Sequence, residues 1–84
     1  MKKRIYIAYR GDITRGGELY ESEELCVSYD EWECDEVIYS AGLRMSEHDR
    51  KRCDMYVAWY DVECMPGETA MAAYNRAWDE GTVF

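Results

Sequence analysis

The chain has 84 residues, which predicts one domain and leaves no room for a second. Its formal net charge of −8 opposes direct binding to nucleic acid or to an anionic membrane, because both are negatively charged. Apolar and aromatic residues make up 48% of the chain, so the composition predicts a packed core rather than disorder.

The first predicted element is a strand over residues 4–9, which are apolar on both faces, as in a strand that is covered on both sides. A glycine-containing loop is predicted over residues 10–17. Helix and strand signals are comparable over residues 18–45, so the topology of this range is left open, and residues 18–24 could form a short helix or an edge strand. A second strand is predicted over residues 25–29.

The centre of the chain gives two further predictions. Asp30 and Glu33 have the spacing of a helix cap, but carboxylates at both positions repel each other, so the helix signal is weak. A short strand, ended by Gly42, is predicted over residues 37–41. Ser46 and Asp49 also have N-cap spacing, with acids in the first turn and basic residues after them. This pattern predicts a short helix over residues 46–53.

The C-terminal part predicts a strand over residues 54–60, a loop over 61–65, a helix that begins near Pro66 and a last strand over 82–84. Gly81 is a predicted helix cap. The apolar stripe of the helix consists of Ala70, Met71, Ala73, Tyr74, Ala77 and Trp78. The alternation predicts an α/β fold: a small three-layer or two-layer sheet with a parallel portion and two to three helices.

The strongest functional signal is a run of nine carboxylates between Gly16 and Leu43 without a single Lys or Arg. Four aromatic residues lie in the same stretch: Tyr20, Tyr29, Trp32 and Tyr39. Like charges at this density do not stabilise a monomer, so the run indicates either a solubilising surface or a surface that meets a basic partner. The predicted partner-binding residues are Glu18, Glu21, Glu23, Glu24, Tyr29, Asp30, Glu31, Trp32, Glu33, Asp35 and Glu36.

Groups suited to catalysis or metal binding are sparse. His48 is the only histidine and is predicted to be a solvated surface residue. Cys26, Cys34, Cys53 and Cys64 lack the close pairing of a zinc site and are predicted to be reduced, buried residues of a cytoplasmic protein, because no signal peptide is recognised. No catalytic residue, cofactor or metal is predicted. The basic residues Arg44, Arg50, Lys51 and Arg52 are predicted to pair with nearby carboxylates.

Three segments resemble parts of the nucleoside 2-deoxyribosyltransferase-like family. They are Arg4-Ile5-Tyr6-Ile7-Ala8, Cys53-Asp54 with the following strand, and Pro66-Gly67-Glu68-Thr69-Ala70-Met71 with the helix and Gly81-Thr82-Val83-Phe84 after it. The resemblance implies a nucleoside or nucleotide site near Glu68, Asp61 and a loop over residues 9–12. However, the family's catalytic carboxylate would fall near Met71 or Ala72, and neither can act as a nucleophile. The resemblance therefore implies a shortened form without the chemistry.

The leading hypothesis is a non-enzymatic protein whose acidic, aromatic face binds a basic protein surface that normally holds nucleic acid. An inhibitor of the phage anti-CRISPR or anti-defence type, in which carboxylates mimic phosphates, suits this size and charge. The alternative is a degenerate nucleoside- or nucleotide-binding domain. A homodimer that buries the surplus aromatic residues is a third hypothesis.

Overall fold

A computed structural model of the chain describes residues 1–13 and 19–81, with only the backbone described at residues 19–22 and 50. It contains three strands and three helices within those ranges. In chain order they are β1 (Lys2–Ile13), β2 (Leu19–Ser28), α1 (Glu31–Arg44), α2 (Glu47–Arg52), β3 (Cys53–Glu63) and α3 (Ala70–Asp79).

The three described strands form one antiparallel sheet in the order β2-β1-β3. The predicted α/β fold with a parallel portion is therefore wrong, and the fold is a small α+β domain. The parallel portion was expected because helices alternate with strands, such as β1, that are apolar on both faces, as parallel or central strands are. A central antiparallel strand has the same composition when helices cover both of its faces, which is the case here.

The core on one sheet face is built against α3. Ile5 and Ile7 are fully buried there, together with Ala73 and Tyr74 of the helix. Side chains that lie opposite each other in the register share a face, so Tyr60 joins this face as the partner of Ile5. The helix therefore holds β1 and β3 together through continuous apolar burial.

The opposite sheet face is covered by α1. Ala8 is fully buried on that face, and Cys34 is fully buried on the helix above it. The Cys34 thiol donates to the backbone carbonyl of Tyr6 at 3.3 Å. A β-carbon added at Gly42 would lie 3.8 Å from Cε of Met55, which shows how closely the helix approaches β3.

The strand predicted over residues 37–41 is wrong, because this segment is the second half of α1. Asp30 caps the helix by accepting a hydrogen bond of 3.0 Å from the backbone amide of Trp32. Cys34 is followed at helical spacing by Val37, Ile38 and Ala41, which are partly buried. This stripe rests on the sheet and outweighs the strand propensity of Val37 and Ile38.

The bounds of several other elements also differ from the predicted ones. The predicted loops over residues 10–17 and 61–65 are wrong at 10–13 and 61–63, which continue β1 and β3. The short helix after the Ser46 cap is confirmed as α2. α3 begins after the Thr69 cap rather than near Pro66. The rest of the first loop and the strand over 82–84 lie outside the described residues.

The predicted cap at Gly81 is confirmed by its positive φ of 71°, a conformation that glycine adopts without strain, and by its amide bond to the carbonyl of Trp78. Among the described helices, none has both the length and the apolar character needed to cross a membrane.

Candidate protein-binding site

The side of α1 that points away from the sheet carries a row of large apolar side chains. Trp32, Tyr39 and Leu43 are 64%, 69% and 64% exposed. Their spacing places them on one line, because seven residues make about two helical turns. These three residues are called the outward stripe below. An exposed apolar row of this kind, bordered by charge, is typical of an interaction surface.

Carboxylates surround the first half of the outward stripe. They belong to the N-cap and to the first turns of α1, and all are exposed. The five residues are Asp30, Glu31, Glu33, Asp35 and Glu36. The positive end of the helix dipole lies at this terminus, so it offsets part of their mutual repulsion. The helix can therefore carry a dense negative charge where a helix C-terminus could not.

These five carboxylates are not neutralised within the described part of the chain. Four ion pairs occur there, and none includes a residue of the range 30–36. The pairs are Glu63 with the N-terminus, Asp61 with Arg4, and Glu68 and Glu80 with Arg76. The carboxylates around the outward stripe thus remain available to a partner's cations.

A groove of about 570 Å³ runs between one flank of α1 and strand β2. Leu25, Val37 and Ala41 form apolar parts of its wall, Glu33 and Glu36 lie at one end, and Arg44 lies at the other. This space is called the α1–β2 groove below. It places two of the predicted partner-binding carboxylates beside an apolar surface.

Glu33 is held in place by the strand below it. The hydroxyl of Ser28, a residue that is only 7% exposed, donates a hydrogen bond of 2.9 Å to Oε2 of Glu33. The same hydroxyl oxygen accepts a bond of 3.0 Å from the backbone amide of Asp30. The buried hydroxyl therefore fixes both the entry to α1 and the direction of one carboxylate.

Two predicted partner-binding residues lie on the other side of the sheet. Oε1 of Glu24 accepts a bond of 3.0 Å from the Tyr74 hydroxyl on α3. Tyr29 packs against the core beneath α3, and its hydroxyl donates to the backbone carbonyl of Glu68 at 2.8 Å. The structure therefore separates Glu24 and Tyr29 from the carboxylates of α1.

The other predicted partner-binding residues fall near α1 or outside the description. Glu23 is exposed and pairs in register with Arg10, on the sheet face that α1 covers. Glu18 lies outside the described residues, and for Glu21 only the backbone in β2 is described. Tyr39 and Leu43 were absent from the predicted set. Their spacing from Trp32 would have identified them once residues 37–41 were assigned to a helix.

The basic residues at the end of α1 and in α2 do not pair as expected. Arg44, Lys51 and Arg52 form no ion pair with any described carboxylate, so the predicted internal neutralisation is wrong for them. The side chain of Arg50 is outside the description. Nη1 of Arg52 lies 3.5 Å from Nε2 of His48.

The four cysteines are free, and three of them are buried. Burial beneath α1 raises the pKa of the Cys34 thiol to about 12, so this group stays protonated at neutral pH and is a poor nucleophile. Within the described ranges, no three His, Cys, Asp or Glu side chains come close enough to hold a metal ion.

The residues expected near a nucleoside have structural partners. Glu68 accepts from Arg76 at 2.8 Å, and Asp61 accepts from Arg4 at 3.3 Å. The segment 9–12 belongs to β1 and is not a loop.

No family model, curated protein or solved structure matches the chain. A functional proposal therefore depends on the geometry of this chain alone.

Proposed function

We propose that this protein is a non-enzymatic binding module that docks α1 onto a basic protein surface, one that normally holds nucleic acid, and thereby inhibits its partner. The observation that carries the proposal is the outward stripe itself. Trp32 and Tyr39 remain about two-thirds exposed, beside carboxylates that no described cation neutralises. Solubility explains the charge but gives no reason for exposed aromatic residues in its midst.

The charge spacing along α1 supports phosphate mimicry. Five carboxylates lie between residues 30 and 36, which span about 9 Å of helix axis. This density of about one charge per 2 Å is close to the value of about 1.7 Å for duplex DNA. A cleft lined by Lys and Arg would therefore meet a comparable negative charge over a short distance, and association would be accelerated by electrostatic attraction.

The aromatic residues would supply the short-range part of the affinity. Trp and Tyr are common anchors at the centres of interfaces, because each buries a large area with few rotatable bonds. Trp32 lies among the carboxylates, whereas Tyr39 and Leu43 extend the contact along the helix. Charge would thus bring the partner to α1, and the outward stripe would hold it there.

The proposal is tested by displacement of a labelled DNA duplex from purified nucleic-acid-binding proteins with basic clefts, including nucleases. The protein should displace the duplex from at least one of them, and the variant Glu31→Gln/Asp35→Asn/Glu36→Gln should not. The matched control Glu47→Gln/Asp54→Asn/Asp79→Asn removes the same charge from exposed residues away from the outward stripe, and it should displace as the unmodified protein does. The proposal would be refuted if both variants lost displacement to the same extent, or if the unmodified protein displaced the duplex from none of the proteins.

A further inference from the structure

We infer that the α1–β2 groove is the specificity site of this binding module and takes one Arg or Lys side chain from an extended segment of the partner. The inference depends on the proposed function, since it names the part of the partner that α1 recognises. It goes beyond the general attraction between charged surfaces, because it assigns one cation to one place and requires apolar residues beside that cation.

The cation would lie between Glu33 and Glu36. Residues three apart on a helix are neighbours, with β-carbons about 5–6 Å from each other, so both carboxylates can reach one guanidinium group. An Arg fork bound by carboxylates forms charge-assisted hydrogen bonds that are shorter and stronger than neutral ones. The hydrogen bond from Ser28 already orients Glu33, so less conformational freedom is lost when the cation binds.

The rest of the groove suits the remainder of such a segment. Val37, Ala41 and Leu25 offer apolar surface next to the two glutamates, where the methylene stem of Arg or Lys and a following apolar side chain can pack. The volume of about 570 Å³ exceeds that of one side chain and accommodates a few extended residues.

Arg44 limits what the far end of the groove accepts. It lies two turns or more beyond Glu36 and forms no ion pair with a described residue, so it repels a second cation. The neighbouring recess, which also contains Arg10 and Asp49, continues from that end. The favoured ligand is therefore a basic residue next to apolar ones, and not a continuous run of Lys and Arg.

The test is an NMR titration of the ¹⁵N-labelled protein with acetyl-Arg-Ala-Val-amide, with acetyl-Gln-Ala-Val-amide as the neutral control. The arginine peptide should shift the amide signals of Val37, Ser40 and Ala41, and the glutamine peptide should not. Glu33→Gln/Glu36→Gln should weaken the binding by about tenfold or more, because both charged acceptors are lost. The matched variant Glu31→Gln/Asp35→Asn keeps the groove intact and should change the affinity for the arginine peptide by less than about threefold.

The outcomes separate this inference from the proposed function. Shifts confined to the Trp32 indole and the amides around the outward stripe would overturn the groove assignment and leave the proposed docking of α1 in place. Binding that is equally sensitive to both variants, or a glutamine peptide that binds as well as the arginine peptide, would also overturn it. Groove shifts from the arginine peptide without any displacement of DNA would support the groove and count against the proposed function.

Discussion

The hydroxyl of Ser28 connects strand β2 to helix α1 through its hydrogen bond of 2.9 Å to Glu33. Ser28 is the last residue of β2 and Glu33 lies in the first turn of α1, and the amide of Asp30 donates to the same hydroxyl oxygen. One small buried side chain thus sets the start of α1 and the position of a carboxylate in the α1–β2 groove.

Ser28→Ala should lower the free energy of unfolding by about 1–2 kcal/mol, because a buried hydroxyl with two partners is lost. It should also weaken binding of the arginine peptide, since Glu33 would lose its orienting donor. Urea unfolding and the NMR titration measure the two effects. Ser40→Ala is the control at an exposed position in the same groove and should change stability by less than about 0.5 kcal/mol. Identical stability of the two variants would contradict the role given to Ser28.

Trp32→Ala should leave the free energy of unfolding within about 0.5 kcal/mol of its original value, because the side chain is largely exposed. The same change should weaken DNA displacement by about tenfold or more, as expected for an aromatic anchor. The matched control is Met71→Ala on α3, another exposed apolar residue, which should leave displacement unchanged. If both variants displace DNA as well as the original protein does, the outward stripe is not the binding surface.

Alkaline pH should destabilise the fold through three tyrosines, of which Tyr74 is buried and the other two are partly buried. Desolvation raises the pKa of Tyr29 to about 12, and it also raises the pKa of Tyr9 and Tyr74, whose hydroxyls lie 2.9 Å apart. The unfolded chain loses these protons near pH 10, whereas the folded chain retains them. Stability is therefore fully present below about pH 10 and falls as the pH rises above it.

The measurement is the free energy of unfolding in urea at a series of pH values from about 8 to 11, together with the tyrosinate absorbance. Tyr74→Phe is the informative variant. It removes one of the hydroxyls whose pKa is raised. Its free energy of unfolding should therefore start lower and decline less steeply above about pH 10. A free energy that does not change across this range would contradict the assigned burial of these hydroxyls.

Acid pH should destabilise the fold through Glu68. Arg76 donates two hydrogen bonds, of 2.8 and 3.1 Å, to the carboxylate of Glu68, and the backbone amide of Met65 donates one more. These bonds lower the pKa of the Glu68 carboxyl. A lowered pKa contributes stability above the unfolded value near 4.5, and that contribution is lost as the pH falls below it. Glu68→Gln should reduce stability at pH 7 and flatten the pH dependence below about 4.5, as measured by urea unfolding. An unchanged acid profile would show that the pair does not contribute to stability.

The sequence predicted α2 and α3 because their signals are local. Ser46 was recognised as the cap of α2, and it accepts from the amide of Asp49. The helix α3 was recognised from the spacing of its apolar residues, but its start after the Thr69 cap was not. Gly81 lies just beyond the end of α3 in the conformation expected of a cap. Such signals depend on a few adjacent residues and can be recognised without knowing the tertiary structure.

The helical second half of α1 and the antiparallel direction of the strands were not predicted, because both depend on tertiary contacts. Val37 and Ile38 favour strands in isolation, but their side chains reach the sheet only when residues 34–41 are helical. The direction of β3 relative to β1 depends on long-range pairing, as between Ile5 and Tyr60, which composition does not encode.

The candidate site was predicted in part. The carboxylates and Trp32 were identified from charge density along the chain. Glu24 and Tyr29 were included because they lie in the same stretch. The structure separates Glu24 from the others because adjacent residues of a strand point to opposite faces, which a count along the chain does not show. The groove that Glu33 and Glu36 share with Leu25 requires two elements to be placed side by side. No pattern within one segment reveals such a site.

The most direct test of the central claim is the salt dependence of the affinity between the unmodified protein and the partner identified by DNA displacement, measured by titration calorimetry without DNA because DNA binding itself weakens with salt. If α1 docks through its carboxylates, the affinity for the basic partner should fall by about tenfold or more between about 50 and 300 mM salt, because exposed charges are screened over that range. The neutralised variant Glu31→Gln/Asp35→Asn/Glu36→Gln should show a much smaller dependence. An affinity that stays constant with salt, or that the neutralised variant retains, would contradict the account.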